Sequence, residues 1–178
     1  NKFACNVTAE MILEMADAMV ESGMRDVGYT YINIDDCWAE VERNPDGSVQ
    51  PVEGFPDGIA PVADYIHNLG LRLGIYSDRG HATCAGRAGS EGYETEDATA
   101  YASWGVDYLK YDNCNATLPI EEQYRTMSEA LSATGRDIVF SLCAWQFYEW
   151  GPELGQLWRT TTDIRDRWES VYANILNN

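Results

Sequence analysis

Apolar residues along the chain follow two alternating spacings. After Thr8, a good N-cap, Ile12, Met15, Ala16 and Met19 recur three and four positions apart until Gly23, which predicts a helix with one apolar stripe. Tyr29 to Ile34 is a short β-rich run ending in Asp35-Asp36. A Gly/Pro/Asp-rich loop from Asn44 to Gly58 leads to a helix carrying Ile59, Val62, Ala63 and Ile66 on one face and stopping at Gly70. The alternation continues: a strand over Leu71 to Tyr76, a long polar loop from Ser77 to Tyr93, a helix around Asp97 to Trp104 ended by Gly105, and a strand from Val106 ending at Asp112. A helix over Ile120 to Leu131, a strand over Ile138 to Cys143, a strand around Leu157 to Thr160 and a helix from about Asp166 to Leu176 complete the pattern.

Strand–helix alternation demands parallel strands with right-handed crossovers, leaving a (β/α)8 TIM barrel or an open doubly wound sheet within the α/β class. Polar residues choose between them. They stand at the end of each strand (Asp35-Asp36, Asp78, Asp112, Cys143 to Trp145, Arg159 to Asp163), and side chains converging from several strand ends are how a barrel builds its site. No Gly-x-Gly-x-x-Gly or Walker A sequence supports the open sheet. A barrel usually needs ~250 residues, so the five predicted strands imply an incomplete one, with one strand expected before Asn1 and two after Asn178.

Composition narrows the partners. A net charge of -17, from 29 acidic against 12 basic residues, opposes binding to nucleic acid or anionic membrane, and no apolar run approaches the ~20 residues of a membrane-spanning helix. No signal-peptide pattern opens the chain, so any export signal is expected to have been removed or to lie outside it. Cys5, Cys37, Cys84, Cys114 and Cys143 form no Cys-x-x-Cys pair, which favours disulfides over zinc or redox sites. The sequons at Asn6 and Asn115 add weak support for a secretory route.

Several residues suggest chemistry. Lys110 and Asp112 lie two apart on one strand, hence on one face, with Asp112 at the carboxyl end; a nearby ammonium keeps the carboxylate ionised, as a nucleophile attacking an anomeric carbon requires. The competing reading is an Asp that caps the next loop. Asp163 follows a later strand beside Arg159 and is either the second carboxylate of a glycosidase or the cap of the next helix. Asp35 and Asp36 offer acceptors for hexose hydroxyls or a metal, and the mixed neighbours Tyr76, Lys110 and Cys143 argue against the metal. Trp38, Tyr76 and Trp145 are candidates for stacking on sugar faces, and His67 and His81 receive no catalytic role.

The ordered stretches Tyr31–Trp38, Gly70–Asp78, Gly89–Tyr93, Tyr101–Cys114, Ser141–Trp145 and Trp158–Ile164 together resemble the α-galactosidase and α-N-acetylgalactosaminidase family of retaining glycoside hydrolases. The resemblance implies Asp112 as nucleophile and Asp163 as acid/base in a double displacement. It also implies a pocket lined by Asp35, Asp36, Tyr76, Lys110, Cys143, Trp145 and Arg159, with disulfides Cys5 to Cys37 and Cys84 to Cys114. No cofactor or metal is implied. The expected partners are terminal α-galactosyl saccharides, with a homodimer allowed, in a secreted, lysosomal or vacuolar setting. Residues 1–178 would form a partial catalytic barrel domain, without the first strand, the last two strands and the C-terminal β-sandwich of the family. Ala144 stands where several α-galactosidases place Glu or Asn. That leaves an α-N-acetylgalactosaminidase and a β-L-arabinopyranosidase open beside the favoured α-galactosidase, and the competing classes are an inactive carbohydrate-binding fragment and a metal-dependent barrel lyase or racemase.

Overall fold

The computed structural model describes residues 3–178. Its strands are β1 (Tyr31–Asn33), β2 (Arg72–Asp78), β3 (Tyr108–Asp112), β4 (Val139–Leu142) and β5 (Leu157–Trp158), paired in parallel in the order β1-β2-β3-β4-β5. The helices are α1 (Ala9–Glu21), α2 (Ala60–Asn68), α3 (Glu94–Ser103), α4 (Ile120–Ala133), α5 (Gly151–Leu154) and α6 (Trp168–Leu176). Sequential order and uniform parallel pairing give an α/β arc of the kind that closes into a (β/α)8 barrel.

Local chemistry explains the boundaries. Thr8 Oγ1 accepts the Met11 N–H at 3.3 Å and so caps α1. Gly70 and Gly105 adopt φ of +73° and +79° just past α2 and α3, a left-handed turn that side chains with a Cβ resist. Strand β2 runs two residues beyond the predicted end, because Ser77 and Asp78 pair with Tyr111 and Asp112 and are themselves buried. The short α5 and a 3-10 turn over Arg25–Val27 were not anticipated; three or four residues are too few for periodicity to show.

Along β3 the period of two divides the strand. Leu109 and Tyr111 pack with Tyr124 and Phe140 beneath the helices, the Tyr111 and Tyr124 rings meeting edge-on at 5.5 Å, whereas Lys110 and Asp112 take the opposite face. At the far ends of the strands, Asp107 accepts from His67 Nε2 and Arg136 Nη2, both at 2.7 Å, and from the Leu73 N–H at 2.9 Å, locking α2, β2 and the start of β3 and β4 together. His67 thus serves the scaffold.

A second buried clasp holds the long loops. The Arg43 guanidinium forks onto both Asp97 carboxylate oxygens at 2.7 Å, covers the Tyr93 ring at 4.0 Å and donates to Gly89 O at 2.6 Å. Ser90 Oγ donates to Asp97 and contacts Ser77 Oγ at 2.6 Å, so the clasp extends to the residue beside Tyr76 on β2. Trp38 belongs to the same core. It is 2% exposed, donates Nε1–H to Tyr76 O at 2.7 Å and meets Tyr101 and Trp104 edge-on, so it is a packing residue and not a platform for sugar.

Candidate active site

The carboxyl ends of the five strands open onto one cleft of about 710 Å³. Its walls include Asp35 and Asp36 after β1, Tyr76 of β2, Lys110 and Asp112 of β3, Trp145 after β4, and Arg159 and Asp163 after β5. Thus residues up to 128 positions apart in sequence meet because every parallel strand delivers its last residues to the same end.

Asp112 sits at the centre and is 5% exposed. Its Oδ1 accepts Trp145 Nε1–H and the Asn113 N–H, each at 2.9 Å, and its Oδ2 accepts the Tyr76 hydroxyl at 3.0 Å. Three donors from three segments fix the carboxylate's plane. The Tyr76 hydroxyl is held firmly protonated by burial first and then by the Asp112, Asp36 and Asp78 charges, so it remains a donor.

Lys110 Nζ bonds Asp35 Oδ2 at 2.9 Å and lies 4.9 Å from the Tyr76 ring centre. Burial acts to lower the Lys110 pKa, but the hydrogen bond and charge of Asp35 outweigh it and raise it, so the ammonium persists. Asp36 is tied down by Cys37 N–H at 2.7 Å, Thr83 Oγ1 at 2.8 Å and Ala85 N–H at 2.9 Å, which brings the loop after β2 against the β1 end.

Asp163 differs sharply from Asp112. Its side chain is 89% exposed and pairs with Arg159 at 2.8 Å, and α6 starts at Trp168 behind Arg167, so Asp163 does not cap that helix. Cys143, expected on the wall, is buried behind Arg159, whose Nη1 lies 3.6 Å from its sulfur. Burial and the Asp112 charge push that thiol up to about 12, leaving it a neutral filler beneath the cleft.

Two disulfides join Cys5 to Cys37 and Cys84 to Cys114. The second links the loop after β2 to the turn after β3. Asp78, Cys84, Asp112 and Cys114 form the one cluster of metal-type donors among the described residues, yet its sulfurs are bonded to each other and offer no thiolate. Sequence reasoning did not place Thr162, Ile164 and Ala85 on the wall; these are ordinary loop residues with no chemical signal of their own.

A family model described as Alpha galactosidase A matches residues 2–178. The chain belongs to this melibiase family. It is 52% identical to a probable alpha-galactosidase of Dictyostelium discoideum over 99% of this chain and 47% of that protein. A putative alpha-galactosidase of Bacteroides fragilis superposes with a TM-score of 0.91 at 50% identity, covering 94% of this chain and 38% of that one. The Saccharomyces cerevisiae alpha-galactosidase solved with raffinose gives a TM-score of 0.88 at 40% identity, covering 93% and 38%. The chain therefore spans less than half the length of each of these three relatives.

Proposed function

We propose that the complete enzyme containing this chain removes terminal α-linked galactose with retention of configuration, residues 1–178 supplying five consecutive strands of its catalytic barrel. The observation that carries the reading is the contrast between two carboxylates on one cleft: Asp112 buried and aligned by three donors, Asp163 exposed beside Arg159. A carboxylate held in one plane by hydrogen bonds is suited to attack, and a solvent-exposed one to proton exchange.

In this reading Asp112 attacks the anomeric carbon as Asp163 protonates the departing glycosidic oxygen, forming a covalent galactosyl ester. Asp163, now ionised, takes a proton from water, which displaces Asp112 and leaves α-galactose. The Asp35–Lys110 pair, Asp36 and Arg159 offer charged hydrogen-bonding groups for the sugar hydroxyls, and Tyr76 and Trp145 present ring surface. Cys143 contributes through the Arg159 it supports. The named alpha-galactosidases at about half identity favour galactose over N-acetylgalactosamine and arabinopyranose. Disulfides on both sides of the site favour a secreted or vacuolar setting.

The test is hydrolysis of p-nitrophenyl α-galactoside by the full-length enzyme, followed by proton NMR before mutarotation. The first product is expected to be α-galactose. β-Galactose would replace the double displacement by direct water attack, and no turnover would redirect the search to the other two sugars.

A further inference from the structure

Asp78 shares the register of the β2–β3 ladder with Asp112, yet it has no exposed surface and does not reach the cleft. Its oxygens instead accept backbone hydrogens from two loops. Oδ1 takes the Gly80 N–H at 2.9 Å, and both Oδ1 and Oδ2 stand 3.0 Å from the Cys114 nitrogen. Successive amides of the turn after β3 are therefore divided between two carboxylates: Asn113 N–H goes to Asp112, at 2.9 Å, and Cys114 N–H goes to Asp78. Peptide planes in a turn are coupled through the dihedrals they share, so anchoring the second amide sets the direction of the first.

The approach of the loops around this carboxylate is close. A Cβ at Gly80 would lie 2.1 Å from Cys114 O, so only glycine permits the contact. Arg79, next in sequence, donates its own N–H to Asp112 O at 3.1 Å and its Nη1 to Leu118 O at 2.9 Å; its guanidinium also bonds Asn113 and Gln123. The Cys84–Cys114 disulfide spans the same joint.

We propose that Asp78 is a positioning residue for the reaction: by accepting the Cys114 and Gly80 amides it holds the turn that aims Asn113 N–H at Oδ1 of Asp112. The proposal rests on the reading of Asp112 as nucleophile. Removing the acceptor leaves the fold's core intact but frees the turn, so the loss falls on the chemical step and not on sugar binding.

The test compares the full-length enzyme with Asp78→Leu, which has no acceptor, and Asp78→Asn, whose single amide oxygen can still accept both amides. Asp78→Leu is expected to lower kcat roughly 10- to 100-fold at a KM within about twofold of wild type, the range in which small misplacements act. Asp78→Asn is expected to recover most of it, to within about threefold, by keeping one acceptor. A folded Asp78→Leu enzyme with wild-type kcat, or one whose KM alone rises, overturns the proposal. If the leucine variant does not fold, the asparagine variant decides: a small fall in kcat at constant KM supports the proposal, and a rise in KM alone overturns it. Wild-type turnover abolished by substitution at Asp112 but untouched at Asp78 would remove this inference only, whereas a silent wild-type enzyme would remove the function beneath it.

Discussion

The carboxyl of Asp78 is enclosed by titratable neighbours on every side: Asp112 of β3, Asp36 after β1, the Tyr76 hydroxyl of β2 and the Tyr124 hydroxyl of α4. Burial, opposed by the Gly80 and Cys114 amides and reinforced by the Asp112 and Asp36 charges, pushes it up to about 7. In the unfolded chain an Asp titrates near about 3.9, so between these values the folded protein holds the extra proton. Stability from this group is therefore complete below about pH 4 and is lost as pH rises toward 7, by a total on the order of 4 kcal/mol. Urea unfolding of wild type and Asp78→Asn at pH 5 and pH 7.5 checks the sign: wild type should lose more stability across the interval than the variant, and parallel losses would contradict it. Asp78 was visible in the sequence only as one more polar residue at a strand end, because burial depends on the two loops folding over it. The same limit applies to Trp38 and Cys143. Cys37 has φ of +80°, which turns the chain so that Trp38 folds back into the core, and Arg159 lies across Cys143; neither a dihedral nor an overlying side chain is written in hydrophobic spacing.

At the level of elements, the joint between the β2 and β3 ends carries both a carboxylate brace and a disulfide. Replacing Cys84 and Cys114 by Ala in the full-length enzyme should reduce stability by about 2–4 kcal/mol while the circular dichroism of the folded state persists. Turnover should fall further than the small change in structure suggests, because the loop after β2 and the turn after β3 meet beside Asp112. Wild-type turnover in the Cys84→Ala, Cys114→Ala variant would contradict this. Most of the elements were legible in the spacing of apolar residues, since α1, α2 and α4 each bury one stripe and the strands β2 to β4 are bounded by glycine-rich or polar breaks. Strands β1 and β5 came out shorter than predicted, yet Ile34 N–H to Gly74 O at 2.9 Å and Arg159 N–H to Leu142 O at 2.8 Å continue their ladders. The two long loops between β1 and α3 were legible too, but not their placement, which the Arg43–Asp97 clasp fixes across 54 residues.

For the whole molecule, parallel strands in sequential order collect distant acidic and aromatic residues at one end while the opposite end is locked by Asp107, His67 and Arg136. The chain carries a net charge of -17, and its cleft joins four carboxylates, Asp35, Asp36, Asp112 and Asp163, with the cations Lys110 and Arg159, an acidic balance that opposes anionic ligands. Apolar side chains of α6, among them Trp168, Ile175 and Leu176, are exposed, as are Leu157 and Trp158 of β5. In the proposed mechanism Asp112 forms the bond to sugar. This is tested most directly by Asp112→Gly in the full-length enzyme, assayed on p-nitrophenyl α-galactoside with and without sodium azide. Turnover is expected to fall roughly a thousandfold or more. Azide, entering the vacated space, should restore release of p-nitrophenol and yield β-galactosyl azide. A glycine variant that turns over at the wild-type rate without azide would contradict it.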